Sequence, residues 1–319
     1  MPQIHYAGSE YALAPGESVL DCLLRHQAAV SYSCKSGVCQ SCLMKGTRGR
    51  IPERAQAGIK DTLRSQGYFL ACSCEPDEDL AISQPGDEQR VVARISGIDA
   101  LSPSVLRVRL APERPFEYRA GQYITLFRGD GLARSYSLAS LPEETALELH
   151  VRLVDGGAMS EFLRRAQPGL TVSIQGPTGN CFYMPGRPEE PLLLAGTGTG
   201  LAPLYGIVRD ALSQGHTGPV WLFHGAVDPA GLYLDQELLA LPAQYPSLRY
   251  VRSVLRDARD DIDAGALDRA IFSRLTQLKE WKSYICGDPD FVRDLRRKIF
   301  LAGAASRNIY ADAFIRSAP

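Results

Sequence analysis

Three cysteines, Cys34, Cys39 and Cys42, fall within nine residues. No other feature constrains this chain as tightly. A cluster of structural cysteines would need apolar surroundings, and Lys35-Ser36-Gly37 between the first two supplies none. Disulfide scaffolding is the habit of small secreted chains. This chain has 319 residues and eight cysteines, and Met1 to Ser9 shows neither the basic nor the apolar part of a secretory leader. A cytoplasmic location is expected, with the cysteines serving metal or redox chemistry.

The spacing is Cys34-x4-Cys39-x2-Cys42 followed by a distant fourth cysteine, the pattern that holds a plant-type 2Fe–2S cluster. Four thiolates must converge on two irons. A short loop supplies three of them, and its small residues Ser36, Gly37 and Ser41 let backbone N–H groups approach the sulfurs. The spacing leaves Cys72 and Cys74 as alternatives for the fourth ligand. Zinc would ask for two knuckles of cysteines two to four residues apart. Cys39 and Cys42 could form one, but Cys72-x-Cys74 is too tight for the other.

Pattern divides the rest of the chain without repeats or low-complexity segments. Residues 1–88 hold the cysteine loop, a short hairpin around Gly8, and a helix over Ser18 to Gln27 with Val19, Leu20, Leu23 and Leu24 on one side. Gln84-Pro85-Gly86-Asp87 reads as a linker. Residues 89–187 show short alternating strands, Arg90 to Ile95, Val105 to Leu110, Tyr123 to Phe127, Ala146 to Leu153 and Thr171 to Gln175, as in a small antiparallel barrel. Pro185 to Pro188 marks the next boundary. In residues 188–319, strands at Leu192–Leu194, Val220–Phe223, Leu248–Val254 and Ser283–Cys286 alternate with helices at Leu201–Ser213, Asp235–Leu241 and Phe291–Ala302, a doubly wound pattern. The net charge of −1 gives no field for nucleic acid or a membrane surface. The longest apolar run, Pro191 to Ala195, is far too short to span a bilayer.

Three further stretches carry chemistry. Arg134-Ser135-Tyr136-Ser137, just after an expected strand, offers a cation for a phosphate group, an aromatic ring that can stack on a flat ligand and a hydroxyl to bond it. His150-Val151-Arg152-Leu153 leads into Gly156-Gly157-Ala158-Met159-Ser160, a turn and helix start of the kind that binds phosphate through unpaired N–H groups. Further on, Pro191 to Ala195 runs into Gly196-Thr197-Gly198-Thr199-Gly200 and Leu201-Ala202-Pro203, a strand, a glycine-rich turn and a helix start suited to a dinucleotide. Its spacing differs from the Gly-x-Gly-x-x-Gly of dehydrogenases.

Together these residues resemble the ferredoxin–NAD(P)H reductase family, and within it the reductase components of bacterial multicomponent oxygenases. The resemblance covers nearly the whole chain in order. It implies a multi-domain α+β and α/β fold: a β-grasp ferredoxin domain, an antiparallel flavin-binding barrel and a doubly wound nucleotide-binding domain. It selects Cys72, because the plant-type ligand precedes a proline by four residues, here Pro76. It places FAD on Arg134, Tyr136, Ser137, His150, Val151, Arg152, Gly157, Ala158, Met159 and Ser160. NADH, or alternatively NADPH, falls on Gly196 to Gly200. The resemblance sets Cys286 and Gly287 of Tyr284-Ile285-Cys286-Gly287-Asp288-Pro289 beside the nicotinamide. It makes Phe314 the aromatic shield of the flavin, with Asp312 where glutamate is frequent. The implied activity passes electrons from NAD(P)H through FAD to the cluster and then to an oxygenase component or a separate ferredoxin. A di-iron monooxygenase, a deoxysugar dehydrase or a plain redox carrier are the alternatives. A monomer is expected.

Asp228, after the Val220–Phe223 strand, favours the free ribose of NADH, while Arg252 and Arg256 leave NADPH open. Independently of any family, Ser31 to Gln66 carries seven cations against two anions, a basic skin suited to an acidic acceptor.

Overall fold

The computed structural model describes residues 2–59, 61–85 and 90–314. The expected 88/89 boundary, Gly86 and Asp87 of the expected linker, Lys60 and residues 315–319 lie outside the described residues.

In the first unit a hairpin joins β1 (Gln3–Tyr6) to β2 (Ser9–Ala12) through Ala7 and Gly8, both at positive φ. Helix α1 (Val19–Arg25) starts at Ser18, whose hydroxyl accepts from the Asp21 amide at 3.1 Å. It stops short of the expected Gln27, because Gln27 itself turns to a φ of 59°. Strand β3 (Leu43–Arg48), helix α2 (Asp61–Arg64), β4 (Tyr68–Leu70) and β5 (Leu80–Ser83) follow. The sheet order is β2-β1-β5-β3-β4, with β1 and β5 parallel, a β-grasp arrangement under α1. Tyr68, Phe69 and Leu70 are all buried, so β4 has no alternation for a pattern search to detect.

The second unit is built from β6 (Val91–Ser102), β7 (Val105–Pro112), β8 (Tyr123–Phe127), β9 (Ala133–Ser137), β10 (Leu147–Arg152), α3 (Ala158–Arg165) and β11 (Thr171–Thr178). Its strands run β10-β7-β6-β11-β8-β9, every pair antiparallel. A bridge between Leu138 and Leu149 brings the last strand back to the first and closes the barrel. Arg134-Ser135-Tyr136-Ser137 follows the expected strand, β8, and is itself a strand. In β9 it pairs with β8, Thr125 opposite Ser135 and Tyr123 opposite Ser137.

The third unit comprises β12 (Leu192–Thr197), α4 (Leu201–Ser213), β13 (Val220–Ala226), α5 (Asp235–Gln244), β14 (Leu248–Val254), β15 (Asp263–Ala264), α6 (Leu267–Phe272), β16 (Lys282–Gly287), α7 (Pro289–Leu301) and β17 (Ile309–Ala313). Its sheet, β15-β14-β13-β12-β16-β17, is parallel throughout. On β12, Leu192 and Leu194 pack with α4 and α5, while Leu193 and Ala195 pack with α6 and α7. Each such fully buried leucine is worth about 2 kcal/mol of apolar burial. The chain leaves β12 toward β15, then returns to place β16 on the other side. The crevice beyond the ends of β12 and β16 is therefore the topological switch point, where doubly wound sheets bind ligands. No helix among the described residues is long and apolar enough to cross a membrane.

Candidate functional site

The cysteine loop links α1 to β3, and Cys72 sits in the tight turn after β4. The sulfurs collect backbone donors: Cys34 Sγ accepts from the amides of Ser36 and Cys39, both at 3.4 Å, and Cys72 Sγ from Gly37 at 3.2 Å. Glycine suits this position, where another residue would be strained. Its φ is +77°, and a Cβ there would lie 2.7 Å from Ser73 Oγ. Lys35 and Gln40 also hold positive φ, so the loop bends tightly around the thiols.

Hydrogen bonding from Cys39, helped by the loop amides and opposed by burial, holds the Cys34 thiol down at about 4; the same bond pushes Cys39 up. Cys72 is lowered to about 7, chiefly by Cys42, which is itself raised. Cys34 thus lies against Cys39, and Cys72 against Cys42. Among the described residues no three His, Cys, Asp or Glu side chains converge to hold a single ion. Cys74 lies in the hydrophobic core of this unit, where burial raises it to about 12.

The loop is docked on the barrel. Tyr123 Oη donates to Val38 O at 2.6 Å and Thr125 Oγ1 to Cys39 O at 3.1 Å. Beside this contact opens a cavity of about 600 Å³ whose lining comes from all three units. Cys34 and Cys39 stand in its wall with the β9 residues Arg134 to Ser137, the start of α3, and Thr199, Asp312 and Phe314. Helix α3 has no side-chain cap at Gly157, so its first N–H groups face the cavity unpaired. Ser160 lines the cavity, but its oxygen already accepts from the Val154 amide at 2.9 Å.

His150 and Arg152 also line the cavity. Val151 between them points into the barrel core, where it is fully buried. Both nitrogens of His150 are engaged: Nε2 lies 2.9 Å from Glu148 Oε1, and Nδ1 3.1 Å from Tyr233 Oη. Burial outweighs Glu148 and lowers the imidazole, so it is neutral. Glu148, with Arg107 at 3.2 Å, then accepts from Nε2–H, and Tyr233 donates to Nδ1. Tyr233 belongs to the third unit, so this buried bond ties nucleotide domain to barrel. Burial also raises the Asp312 carboxyl to about 6.

At the switch point the turn after β12 meets the end of β16. A Cβ on Gly200 would lie 2.2 Å from Cys286 O, and one on Gly287 2.6 Å from Thr197 Oγ1. Two glycines thus allow the strand ends to interlock. Thr197 Oγ1 is buried without a partner, and α4 begins at Gly200 without a side-chain cap. The Leu201 amide bonds back to Gly198 O and Pro203 has no N–H, so the unpaired Thr197 hydroxyl, rather than the helix start, suits a dinucleotide. Phe314 is pinned here by its amide, which donates to Gly287 O at 2.8 Å. The Cys286 side chain is fully buried, its Sγ 3.6 Å from Cys181 Sγ, and it does not line the cavity. Asp228 lies 3.7 Å from Arg256, whereas Arg252 is held between Asp235 at 3.0 Å and Asp261 at 2.8 Å.

The basic skin is partly neutralised. Arg54 pairs with Glu75, Lys35 with Asp21, and the Arg50 amide donates to Glu78. The acidic stretch after Cys74 folds against it, which a count over Ser31 to Gln66 omits.

Sequence reading singled out neither Tyr123 and Thr125 as anchors of the cluster loop nor Tyr233 as the partner of His150. Thr125 carried a signal: a hydroxyl on the wholly buried strand β8 requires a partner.

Three families match in chain order: a 2Fe-2S iron-sulfur cluster binding domain over residues 4–77, an oxidoreductase FAD-binding domain over 93–183 and an oxidoreductase NAD-binding domain over 194–297. The ferredoxin–NAD(P)+ reductase component of the naphthalene 1,2-dioxygenase system of Pseudomonas putida is 32% identical over 309 residues, 94% of each chain. Reductase component 1 of terephthalate 1,2-dioxygenase from a Comamonas species is 30% identical, over 99% of this chain and 98% of its own. The crystal structure of an Amycolatopsis cytochrome P450 reductase matches with a TM-score of 0.71 at 27% identity, over 98% of this chain and 99% of that one. Fold and site together define an iron–sulfur flavoprotein oxidoreductase. The chain belongs to the family of NAD(P)H-dependent reductases that join a 2Fe–2S ferredoxin domain to FAD- and NAD-binding domains. Electrons from NAD(P)H pass through FAD to the 2Fe–2S centre.

Proposed function

We propose that this chain is the reductase component of a multicomponent aromatic oxygenase system, drawing on NADH and delivering electrons to an oxygenase component or a separate ferredoxin. The observation that carries the reading is the single cavity in which Cys34 and Cys39, the flavin-type motif of β9 and α3, and the switch-point residues Thr199 and Phe314 meet. When bound, FAD takes up a hydride's two electrons and gives them out one at a time, and the 2Fe–2S centre carries one.

The protein's part is placement. Cys34, Cys39, Cys42 and Cys72 hold the cluster, and the amides of Ser36, Gly37 and Cys39 stabilise charge on its ligands. Arg134 and the α3 N–H groups hold the FAD pyrophosphate, Tyr136 and Ser137 the ring, and His150 is a rigid wall rather than a hydrogen-bond ligand. Gly196 to Gly200 and Thr197 Oγ1 receive the nicotinamide dinucleotide, with the Cys286–Gly287 backbone closing over it. Phe314 screens the flavin until nicotinamide enters. Asp228 meets the ribose hydroxyls, and Arg252, engaged by two aspartates, is not free for a 2′-phosphate.

The test is anaerobic titration with NADH. Flavin and cluster absorbance should bleach together, and NADPH should be the poorer donor by kcat/KM. Flavin bleaching that leaves the cluster oxidised would sink the proposed path, and no bleaching at all would favour a redox carrier. Preference for NADPH would remove the role given to Asp228.

A further inference from the structure

A line of hydroxyls, half-buried at Ser135 and buried at Thr125 and Ser41, runs from the flavin cavity to a cluster ligand across the domain boundary. Ser135, in the cavity wall, has its Oγ 3.3 Å from Thr125 Oγ1. Thr125 Oγ1 is 3.1 Å from Cys39 O and 3.4 Å from Ser41 Oγ. Ser41 Oγ is 3.0 Å from Cys39 Sγ. Thr125 and Ser41 are each 3% exposed, so water does not substitute for the contacts they make with Cys39.

Each hydroxyl has one hydrogen, and this fixes the direction of the chain once Cys39 is a thiolate. The sulfur can only accept, so Ser41 donates to it. The Thr125 hydrogen goes to Cys39 O, leaving its oxygen packed 3.4 Å from Ser41 Oγ, and Ser135 donates to Thr125. Hydrogen bonds in such a series polarise one another, and hydrogen bonds to ligand sulfurs raise a cluster's reduction potential by stabilising its extra negative charge.

We propose that Thr125 of the barrel is a positioning residue for the cluster. By holding Cys39 O it keeps Cys39 Sγ against the Ser41 hydroxyl, so that the docked flavin domain sets the potential of the centre in its neighbour. This rests on the reading of Cys39 as a cluster ligand. The arrangement would also keep the cluster's potential matched to the flavin only while the two domains are in register.

The experiment is an EPR-monitored redox titration of the full-length holoprotein. Ser41→Ala should lower the reduced-to-oxidised ratio of the cluster at fixed poise about tenfold, a shift of about 59 mV for one electron. Thr125→Val, which keeps the shape and removes the hydroxyl, should lower it about threefold, or about 28 mV on the same scale, and Thr125→Ser should restore it. A Thr125→Val potential equal to wild type would overturn the proposal, as would a Ser41→Ala one. If Thr125→Val fails to fold, Ser135→Ala interrupts the chain one hydroxyl further out and should lower the potential more weakly, and no shift there is again a refutation. A wild-type chain that loads no 2Fe–2S centre, or loads it equally well as Cys39→Ala, would instead bring down the ligand reading beneath it.

Discussion

The cluster loop and the flavin cavity are built in opposite ways. The loop takes three of its four thiols from nine consecutive residues and shapes them with local amides and one glycine φ. The cavity takes Cys34, Ser135, His150, Thr199 and Phe314 from elements spread over most of the chain. The first can form once its own domain folds. The second exists only when three domains dock. A fault in the loop should therefore be absolute and local, and a fault in the cavity graded and shared.

The sharpest way to break that contrast is at Cys72. Cys72→Ala should abolish cluster absorbance while FAD remains bound. Cys74→Ala should keep the cluster and cost about 1–2 kcal/mol through a small core cavity, read by denaturant unfolding. Cluster loss in Cys74→Ala alone would exchange the two assignments. Next comes Gly200→Ala. The added methyl would collide with Cys286 O, so overpacking should cost about 1–3 kcal/mol and displace the switch-point turn. Anaerobic stopped-flow should show flavin reduction by NADH slowed about 100-fold, with cluster and flavin content unchanged.

A smaller effect is expected at the buried link between domains. Tyr233→Phe leaves His150 Nδ1 without its donor and should cost about 1–3 kcal/mol. It should loosen FAD binding without touching the cluster, which equilibrium dialysis of FAD against visible spectra would reveal. Smallest is Asp312. Its carboxyl titrates near 6 in the fold against 3.8 when unperturbed. The folded state thus holds its proton where the unfolded state has lost it. Stability from this group is fully present below about pH 3.8 and falls as pH rises through 6. Unfolding at pH 4 to 7 should show that decline flattened in Asp312→Asn, which should be the more stable of the two at pH 7.

The same contrast explains what could be read without coordinates. The Cys34 loop, the glycine turn at Gly196 to Gly200 and the α3 start were legible because spacing alone encodes them. The domain order was legible from the switch between alternating strands and alternating strands with helices. Strand β4 was not, being buried at all three positions, and neither were the short α6 and β15. Ser135 was visible only as the letter between Arg134 and Tyr136, because its role depends on Thr125 across the strand pair and Ser41 in another domain. His150 was placed at the cavity by its neighbours, yet Tyr233, which occupies one of its nitrogens, stands 83 residues away. Docking contacts of this kind leave no period and no spacing.

The barrel grips the cluster loop at Val38 O and Cys39 O, carbonyls that every amino acid possesses. Tyr123 and Thr125 therefore recognise the course of the main chain and are largely blind to which side chains decorate it. A ferredoxin domain from elsewhere, grafted ahead of the barrel, would present the same two oxygens if its loop bent the same way. Shuffling of such modules, in evolution or in a chimera, is thereby made permissive at the one seam where electrons must cross.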